Sequence, residues 1–208
     1  MSASSSSVAR ARPTSDKRRL ILEAAVRVFA RQGFHACRVA DIADEAGVAY
    51  GLVYHYFGSK DEILDTVFLE RWNVMLETIR DVDGRELAPR EKLYEVASFI
   101  VDSYSHDPDV MKVIIVEVTR AANSFGQTHL GQIRQAYELI GDIVIKAQAQ
   151  GAFKPEIDSL FAAMAFYGAI EQMLTGWIFD LLPSGSEHFE RAKALVVEAV
   201  CGGLERRP

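Results

Sequence analysis

The first sixty residues carry the pattern that most constrains the fold, a long helix followed by two short ones. Apolar residues recur in pairs every four positions between residues 20 and 29, which places them in one stripe along a helix. Two short helical segments follow, 39–46 and 50–57, and each is closed by a glycine. Ile42 and the small Ala43 allow the first short helix to pack closely against that stripe. We therefore expect a three-helix unit at this end of the chain.

The rest of the chain continues the helical periodicity, and no convincing alternating strand interrupts it. Glycine and proline residues divide it into six further predicted helices: 59–80, 88–106, 108–123, 127–150, 156–181 and 186–205. The segment 113–118 favours a strand by composition, but it lies inside a longer helical pattern. The sequence thus predicts an all-α fold of about nine helices. We expect the Ser-rich and basic tail, 1–14, to be disordered.

Composition limits the class of protein. Of the 208 residues, 49% are hydrophobic and 25% are charged, which is the balance of a soluble globular protein. No apolar run approaches the ~18 residues that would span a bilayer, and the N-terminus lacks the apolar stretch of a secretory signal. Cys37 and Cys201 are far apart, so neither a disulfide framework nor a metal site is indicated. We expect a cytoplasmic protein without membrane contact, metal or cofactor.

Charge is distributed unevenly along the chain. The net charge is −6, yet residues 1–60 hold nine basic and five acidic side chains, a net charge of +4. The remaining residues hold 14 basic and 24 acidic side chains, a net charge of −10. A basic head could meet DNA or an anionic membrane surface, whereas an acidic body limits indiscriminate binding.

The two short helices joined through Gly47 have the form of a helix-turn-helix, whose second helix projects its N-terminal residues into the DNA major groove. The stretch DIADEAGVAYGLVYHYFGSKDEIL at 41–64 closely resembles the DNA-binding domain of the TetR family of bacterial transcriptional repressors. The match includes the Gly-Val of the turn, a Tyr-X-Tyr-Phe run, and Ser-Lys followed by two acids.

The resemblance implies a helix-turn-helix domain over 15–62, an effector-binding and dimerisation domain over 63–208, and a homodimer on a palindromic operator. It also carries the family's DNA contacts onto matching positions: Arg38, Ala49, Tyr50, Gly51, Leu52, Tyr54, His55 and Lys60. Tyrosine, histidine and lysine side chains can donate to phosphate oxygens.

Two of these positions depart from the family pattern. The family usually has Ser or Thr before each short helix, where this chain has Arg38 and Ala49. A lost hydroxyl cap costs about 0.5–2 kcal/mol, so we expect the recognition helix to be only partly formed without DNA. Arg38 could contact a phosphate instead, and Leu52 could meet a thymine methyl group.

The last two predicted helices carry more apolar surface than a monomer needs. Two such helices from each subunit would bury one another as an intermolecular four-helix bundle, as TetR-like proteins do. The predicted dimer interface contains Phe161, Gly168, Leu174, Phe189, Leu195, Val196, Ala199 and Val200.

The middle of the chain is rich in methionine and aromatic residues that would suit a flexible, apolar ligand. The pocket candidates are Phe68, Trp72, Met75, Phe99, Tyr104, Met111, Ile115, Arg120, Tyr137, Met164, Tyr167 and Trp177. For each apolar candidate, plain core packing is the alternative. For Arg120, which would suit a phosphate or carboxyl group, the alternative is an ion pair with Glu117.

The stretches 114–123 and 169–180 are similar to fatty-acid-metabolism repressors of the FadR type within the TetR family, which respond to long-chain acyl-coenzyme A. We therefore expect a repressor that a small hydrophobic effector, long-chain acyl-coenzyme A first, releases from its operator. Another apolar or cationic small molecule is the alternative effector. No catalytic motif indicates an enzyme. A helical protein-interaction adaptor is the remaining class, and the basic head argues against it.

Overall fold

The computed structural model describes residues 13–119 and 129–205. Within these ranges the chain forms nine α-helices and no β-strand, so the all-α prediction is confirmed. The helices are α1 Pro13–Gln32, α2 Val39–Ala46, α3 Tyr50–Tyr56, α4 Lys60–Gly84, α5 Pro89–His106, α6 Pro108–Val113, α7 Leu130–Ala149, α8 Ser159–Ile178 and α9 Ser186–Leu204. None of these helices is long and apolar enough to cross a bilayer.

The helices belong to two compact units, and the boundary between the units falls inside α4, after Val67. The first unit contains α1, α2, α3 and the start of α4. The stripe predicted on α1 supplies much of its core, since Ile21 and Phe29 are fully or almost fully buried. Ile42 of α2 and Val53 of α3 are buried as well. Burial of these apolar side chains stabilises helices that are too short to persist alone.

The turn between α2 and α3 depends on the left-handed backbone of Gly47, which has φ of 63°. That conformation lets the N–H of Gly47 donate to Asp44 O at 3.1 Å and the N–H of Val48 donate to Ala43 O at 3.0 Å. Both bonds satisfy carbonyls that the end of α2 would otherwise leave without a partner.

The N-terminal ends of the two short helices differ from the expectation. At α2, the backbone N–H of Arg38 donates to Asp41 Oδ2 at 2.7 Å, which is one half of a capping box, while no side chain takes the place of the missing hydroxyl. At α3, no side chain caps Ala49, yet the helix is formed from Tyr50 onward. Burial of Val53 holds α3 against the core, and the extent to which α3 forms without DNA stays a prediction.

Several boundaries also depart from the sequence prediction. α1 begins at Pro13, so the last two residues of the predicted tail are helical, and residues 1–12 lie outside the described ranges. α4 continues to Gly84 rather than ending at Arg80. Buried Val82 explains the extension, because its burial outweighs the poor helix propensity of the flanking aspartates. α8 begins later than predicted, at Ser159, because Asp158 accepts the N–H groups of the next turn.

The β-prone segment is helical, but it is wound differently from its neighbours. Residues Ile114–Thr119 continue α6 as a π-helix. Ile114 and Ile115 are buried there. Such insertions into a helix are rare and frequently occur at functional sites.

We expect Gly47→Ala to destabilise the protein by about 1–2 kcal/mol, because an alanine must adopt the left-handed conformation. No atom lies within 4 Å of the position that its Cβ would take, so the cost is one of backbone conformation. Gly51→Ala is the matched control, since Gly51 is helical with similar open space. Gly51→Ala should increase the free energy of unfolding by about 0.5–1 kcal/mol. Urea denaturation followed by circular dichroism measures both, and equal stabilities for the two variants would contradict this account.

Candidate functional site

The exposed side of α3 is the first candidate surface. Tyr50, Gly51, Tyr54 and His55 are exposed on it, and Leu52 is half-buried. This spacing of adjacent pairs one turn apart puts them on one side of the helix. Val53 and Phe57, buried on the opposite side, fix the orientation of the helix. Ala49 and Arg38, which precede α3 and α2, are exposed as well.

Two tyrosines on this surface contact each other. The hydroxyl of Tyr50 donates to that of Tyr54 at 3.2 Å, and the rings meet edge to face with centroids 5.1 Å apart. The hydrogen bond from Tyr50 raises the pKa of Tyr54 above its ordinary value. Tyr54 therefore keeps a neutral phenol, and both hydroxyl groups of the pair can donate and accept hydrogen bonds.

Lys60, predicted as a phosphate contact, has partners within its own unit. Its Nζ donates to Phe34 O at 2.5 Å and to Cys37 O at 2.9 Å. It also lies 4.4 Å from the centroid of the Phe34 ring. These contacts use two of the three ammonium hydrogens and tie the start of α4 to the turn between α1 and α2. This second role could not be predicted from the sequence, because the carbonyl oxygens of a turn carry no side-chain signature.

Part of the basic charge of the first unit is neutralised by an acid on α2. Arg27 and Arg31 of α1 donate to the carboxylate of Glu45 at 2.8 and 3.2 Å. These hydrogen bonds lower the pKa of Glu45, so the carboxylate stays ionised. The two arginines thereby link α1 to α2.

The second unit contains a cavity of about 400 Å³ between α4, α5, α6, the π-helical segment and α8. It is lined by Arg71, Trp72, Val74, Met75, Phe99, Ile100, Asp102, Ser103, His106, Asp107, Val110, Met111, Ile114, Ile115 and Tyr167. A volume of this size is at the lower end of the range for small-molecule sites.

The wall of the cavity divides into a buried apolar part and an exposed polar part. Trp72, Ile115 and Tyr167 are buried. Burial raises the pKa of Tyr167 well above its ordinary value, so its hydroxyl is neutral. Polar side chains such as Arg71 and Asp107, by contrast, lie where the cavity meets solvent. The arrangement suits an elongated ligand with an apolar chain and a polar end.

Half of the twelve predicted pocket residues line this cavity: Trp72, Met75, Phe99, Met111, Ile115 and Tyr167. Two others lie behind the wall. Phe68 stacks on Trp72 with centroids 4.9 Å apart, and Tyr137 meets Tyr167 edge to face at 5.6 Å.

The remaining predicted pocket residues lie elsewhere. Tyr104 stacks on Trp177 with centroids 5.6 Å apart, and both contact Phe189 of α9 in a separate aromatic cluster. Tyr167 and Trp177 are ten residues apart on α8, a rotation of roughly 80° between their directions. Met164 is exposed on the outside of α8. Arg120 lies outside the described residues.

The polar side chains of the cavity were not predicted from the sequence. Asp102, Ser103 and His106 follow one another on α5 at helical spacing, and Asp107 comes directly after its end. Polar residues on a helix ordinarily form its solvent-exposed side, so nothing in their spacing indicates a cavity.

Ion pairs of the buried Lys193 with two exposed carboxylates connect this polar wall to α9. Lys193 Nζ donates to Asp102 Oδ1 at 2.6 Å and to Glu190 Oε1 at 2.5 Å. Burial lowers the pKa of Lys193, but its two carboxylate partners outweigh that effect and raise the pKa above the ordinary value. Lys193 therefore stays charged, and it neutralises the negative charge of Asp102 at the cavity. Among the described residues, no group of three acidic, histidine or cysteine side chains could hold a metal ion.

The predicted interface residues on α8 and α9 fall into two groups. Leu174, Phe189 and Val196 are buried within the chain itself. The others are at the surface: Phe161, Gly168, Leu195 and Ala199 are exposed, and Val200 is half-buried. Phe161 is 73% exposed and Leu195 57% exposed, unusually high values for large apolar side chains.

Comparison with known proteins gives matches at both ends of the chain. The family model for bacterial regulatory proteins of the tetR family matches residues 21–67. The model for the tetracyclin repressor-like C-terminal domain matches residues 89–200. Together they cover the helix-turn-helix of the first unit and most of the second.

Individual relatives point the same way. The chain is 29% identical over 161 residues to a fatty acid metabolism regulator protein of Bacillus subtilis, covering 77% of this chain and 82% of that one. The crystal structure of FadR from Bacillus subtilis in complex with stearoyl-CoA has a TM-score of 0.80 and 25% identity, over 89% of this chain and 98% of that one.

A structure of the fatty acid degradation regulator FadR from Bacillus halodurans has a TM-score of 0.83 at 24% identity, over 95% of this chain and 100% of that one. These relatives are transcriptional regulators rather than enzymes. With a helix-turn-helix in the first unit and a matching helical domain after it, the chain belongs to the TetR family of DNA-binding transcriptional regulators.

Proposed function

We propose that this protein is a cytoplasmic repressor that an elongated apolar molecule with an anionic end, such as a long-chain acyl-coenzyme A, releases from its operator. The observation that carries the proposal is the cavity, whose buried wall is aliphatic and aromatic and whose exposed wall is polar. The stearoyl-CoA bound to the Bacillus subtilis relative supports the same class of ligand.

The size of the cavity limits how such a ligand would bind. A volume of about 400 Å³ suits an apolar chain but leaves no room to enclose a coenzyme A group as well. The acyl chain would therefore occupy the buried part, and the polar group would lie at the exposed wall.

Release of DNA requires that the ligand bind one arrangement of the protein better than the other. α4 is the element through which this could happen, because it begins at Lys60 and also carries Trp72 and Met75 of the cavity wall. A ligand that displaces those side chains would shift α4 and, with it, the spacing of two recognition helices. Half-sites one helical turn apart demand a nearly fixed spacing, so a small shift is enough to weaken binding.

A dimer would use the outer α8–α9 face, which we define as Phe161, Met164, Gly168, Leu195 and Ala199. On α8 its members are spaced three and four residues apart, and on α9 they are four apart, so each set forms one continuous stripe. Exposed apolar surface of this kind typically marks a protein interface. No atom lies within 4 Å of the position that a Cβ would take at Gly168, which leaves space for a close helix crossing.

The DNA contacts of the first unit give one prediction. If the third ammonium hydrogen of Lys60 contacts a phosphate, Lys60→Ala should weaken binding to all sequences and reduce the slope of log K against log salt concentration by about 1. Fluorescence anisotropy with DNA from beside the protein's own gene, at several salt concentrations, measures this.

Arg134→Ala is the control for Lys60, since it removes one positive charge from an exposed site on α7. Its slope should equal that of the unmodified protein. Weaker binding with an unchanged slope for Lys60→Ala would instead reduce Lys60 to its role of tying α4 to the preceding turn.

The proposed effector gives a second prediction. Palmitoyl-coenzyme A should weaken operator binding about 5- to 150-fold, the usual range of coupling between sites. Val74 lines the cavity and is partly exposed, so Val74→Trp should fill part of the cavity and blunt the release. Ile145→Trp places the same bulk on an exposed position of α7 and should respond normally. DNA binding that palmitoyl-coenzyme A leaves unchanged in all three proteins would refute this effector.

The outer α8–α9 face gives a third prediction. Leu195→Asp should convert the dimer to a monomer, because an unpaired charge buried in an interface costs several kcal/mol. Ile145→Asp is the control, since Ile145 is also a largely exposed aliphatic residue, at 50%, but lies on α7. Sedimentation velocity distinguishes the two outcomes. A Leu195→Asp variant that sediments like Ile145→Asp would place the interface elsewhere.

A further inference from the structure

We propose that Arg71 recognises the anionic end of the effector. While the cavity is empty, Arg71 pairs with Asp107, and the effector must displace Asp107 to bind Arg71. This inference rests on the proposed function, since it assumes that a ligand with an apolar chain enters the cavity. It adds the residue that selects the charge of the ligand and a contact that the ligand must replace.

The position of Arg71 suits this role. Among the described residues that line the cavity, it is the only lysine or arginine. Its neighbour in sequence, Trp72, is buried in the apolar wall, and the Trp72 indole donates to Gln132 O at 2.9 Å, which fixes that part of α4. The side chain of Arg71 is 58% exposed, so its guanidinium lies at the solvent end of the cavity. A ligand whose chain reaches Trp72 would have its polar end beside Arg71.

The present partner of Arg71 holds it weakly. Arg71 Nη2 lies 4.0 Å from Asp107 Oδ2, which is longer than a hydrogen bond, and the Asp107 side chain is 40% exposed. Ion pairs of this kind contribute little to stability. A carboxylate or phosphate could instead accept two parallel hydrogen bonds from the guanidinium, which is the stronger arrangement.

The other oxygen of Asp107 has a separate structural task. Asp107 Oδ1 accepts the backbone N–H of Val110 at 3.1 Å and so caps the start of α6. An asparagine at this position would keep an acceptor for the cap but lose the negative charge. The two tasks can therefore be separated by one substitution.

The second acid of the polar wall does not oppose an anion. Asp102 accepts from Lys193, whose positive charge lies 2.6 Å away. Once Arg71 is released from Asp107, its guanidinium can bind an anion at the exposed wall. The carboxylate of Asp102 does not repel that anion, because Lys193 neutralises it. The shared chemistry of the ligand is thus an anionic group on an apolar chain, which a fatty acid carboxylate or a coenzyme A phosphate can supply.

Isothermal titration calorimetry with Arg71→Gln, Asp107→Asn and the double variant tests the inference. The probes are palmitate, palmitoyl-coenzyme A and uncharged 1-hexadecanol, each kept below the concentration at which it aggregates. Arg71→Gln should weaken binding of an anionic probe about tenfold or more, the loss expected for a charge-assisted hydrogen bond. Asp107→Asn should tighten it about two- to fivefold, because the competing ion pair is gone. The double variant should match Arg71→Gln, and 1-hexadecanol should bind all four proteins alike.

The two probes also separate the two sources of the anion. If Arg71→Gln weakens the binding of palmitate only, Arg71 recognises a carboxylate. If it weakens the binding of palmitoyl-coenzyme A only, Arg71 recognises a phosphate. Arg134→Gln, an exposed charge removed from α7, should change neither. Thermal unfolding should be similar for every variant, because Arg71 is exposed and the α6 cap is retained.

Two outcomes would overturn the inference. If Arg71→Gln binds both anions as tightly as the unmodified chain, or if Asp107→Asn weakens them, the charge is recognised elsewhere while the proposed function stands. If the unmodified chain binds none of the three probes, the proposed function fails and the role of Arg71 fails with it.

Discussion

The structure depends on one helix that serves two hydrophobic cores. The first residues of α4 include Ile63 and Leu64, which are buried in the first unit, while Trp72 and Ile79 further along the same helix are buried in the second. A continuous α-helix is stiff over this length, because each backbone N–H is bonded within it. The same helix thus carries Trp72 in the second core and begins at Lys60 in the first unit.

The second unit combines an apolar core with a cavity whose solvent-exposed side is lined by polar residues. α5 contributes to both, since its buried aliphatic face packs inside the unit while Asp102 and His106 lie at the cavity. The ion pair of Lys193 with Asp102 joins that polar wall to α9, which also carries part of the outer α8–α9 face.

Much of this architecture could be predicted from the sequence, because it follows from periodicity and punctuation. The stripe on α1, the glycine at 47 and the order of the helices in the described ranges all produce local patterns. The extension of α4 to Gly84 could not, because it depends on the burial of Val82 against residues distant in sequence. The same limit applies to the π-helical winding of 114–119, which composition alone described as strand-like.

The candidate sites, too, could be predicted from the sequence only in part. A helical stripe identifies which residues are buried, but not which of two buried clusters they join. Trp72 and Trp177 are both large buried aromatics on helices, yet one lines the cavity and the other stacks on Tyr104. The polar wall was missed because exposed polar side chains on a helix are common. The two carbonyl partners of Lys60 were missed because backbone groups are invisible in a sequence pattern.

The two oxygens of Asp107 have a consequence for how this protein could diverge. Because one oxygen caps α6 and the other faces Arg71, most substitutions at this position would remove the cap and the Arg71 ion pair together. Asparagine is different: it is one nucleotide change from aspartate, and it preserves the cap while removing the charge. A gene duplicate could therefore alter its preference for charged ligands in one mutational step without first losing a stable fold.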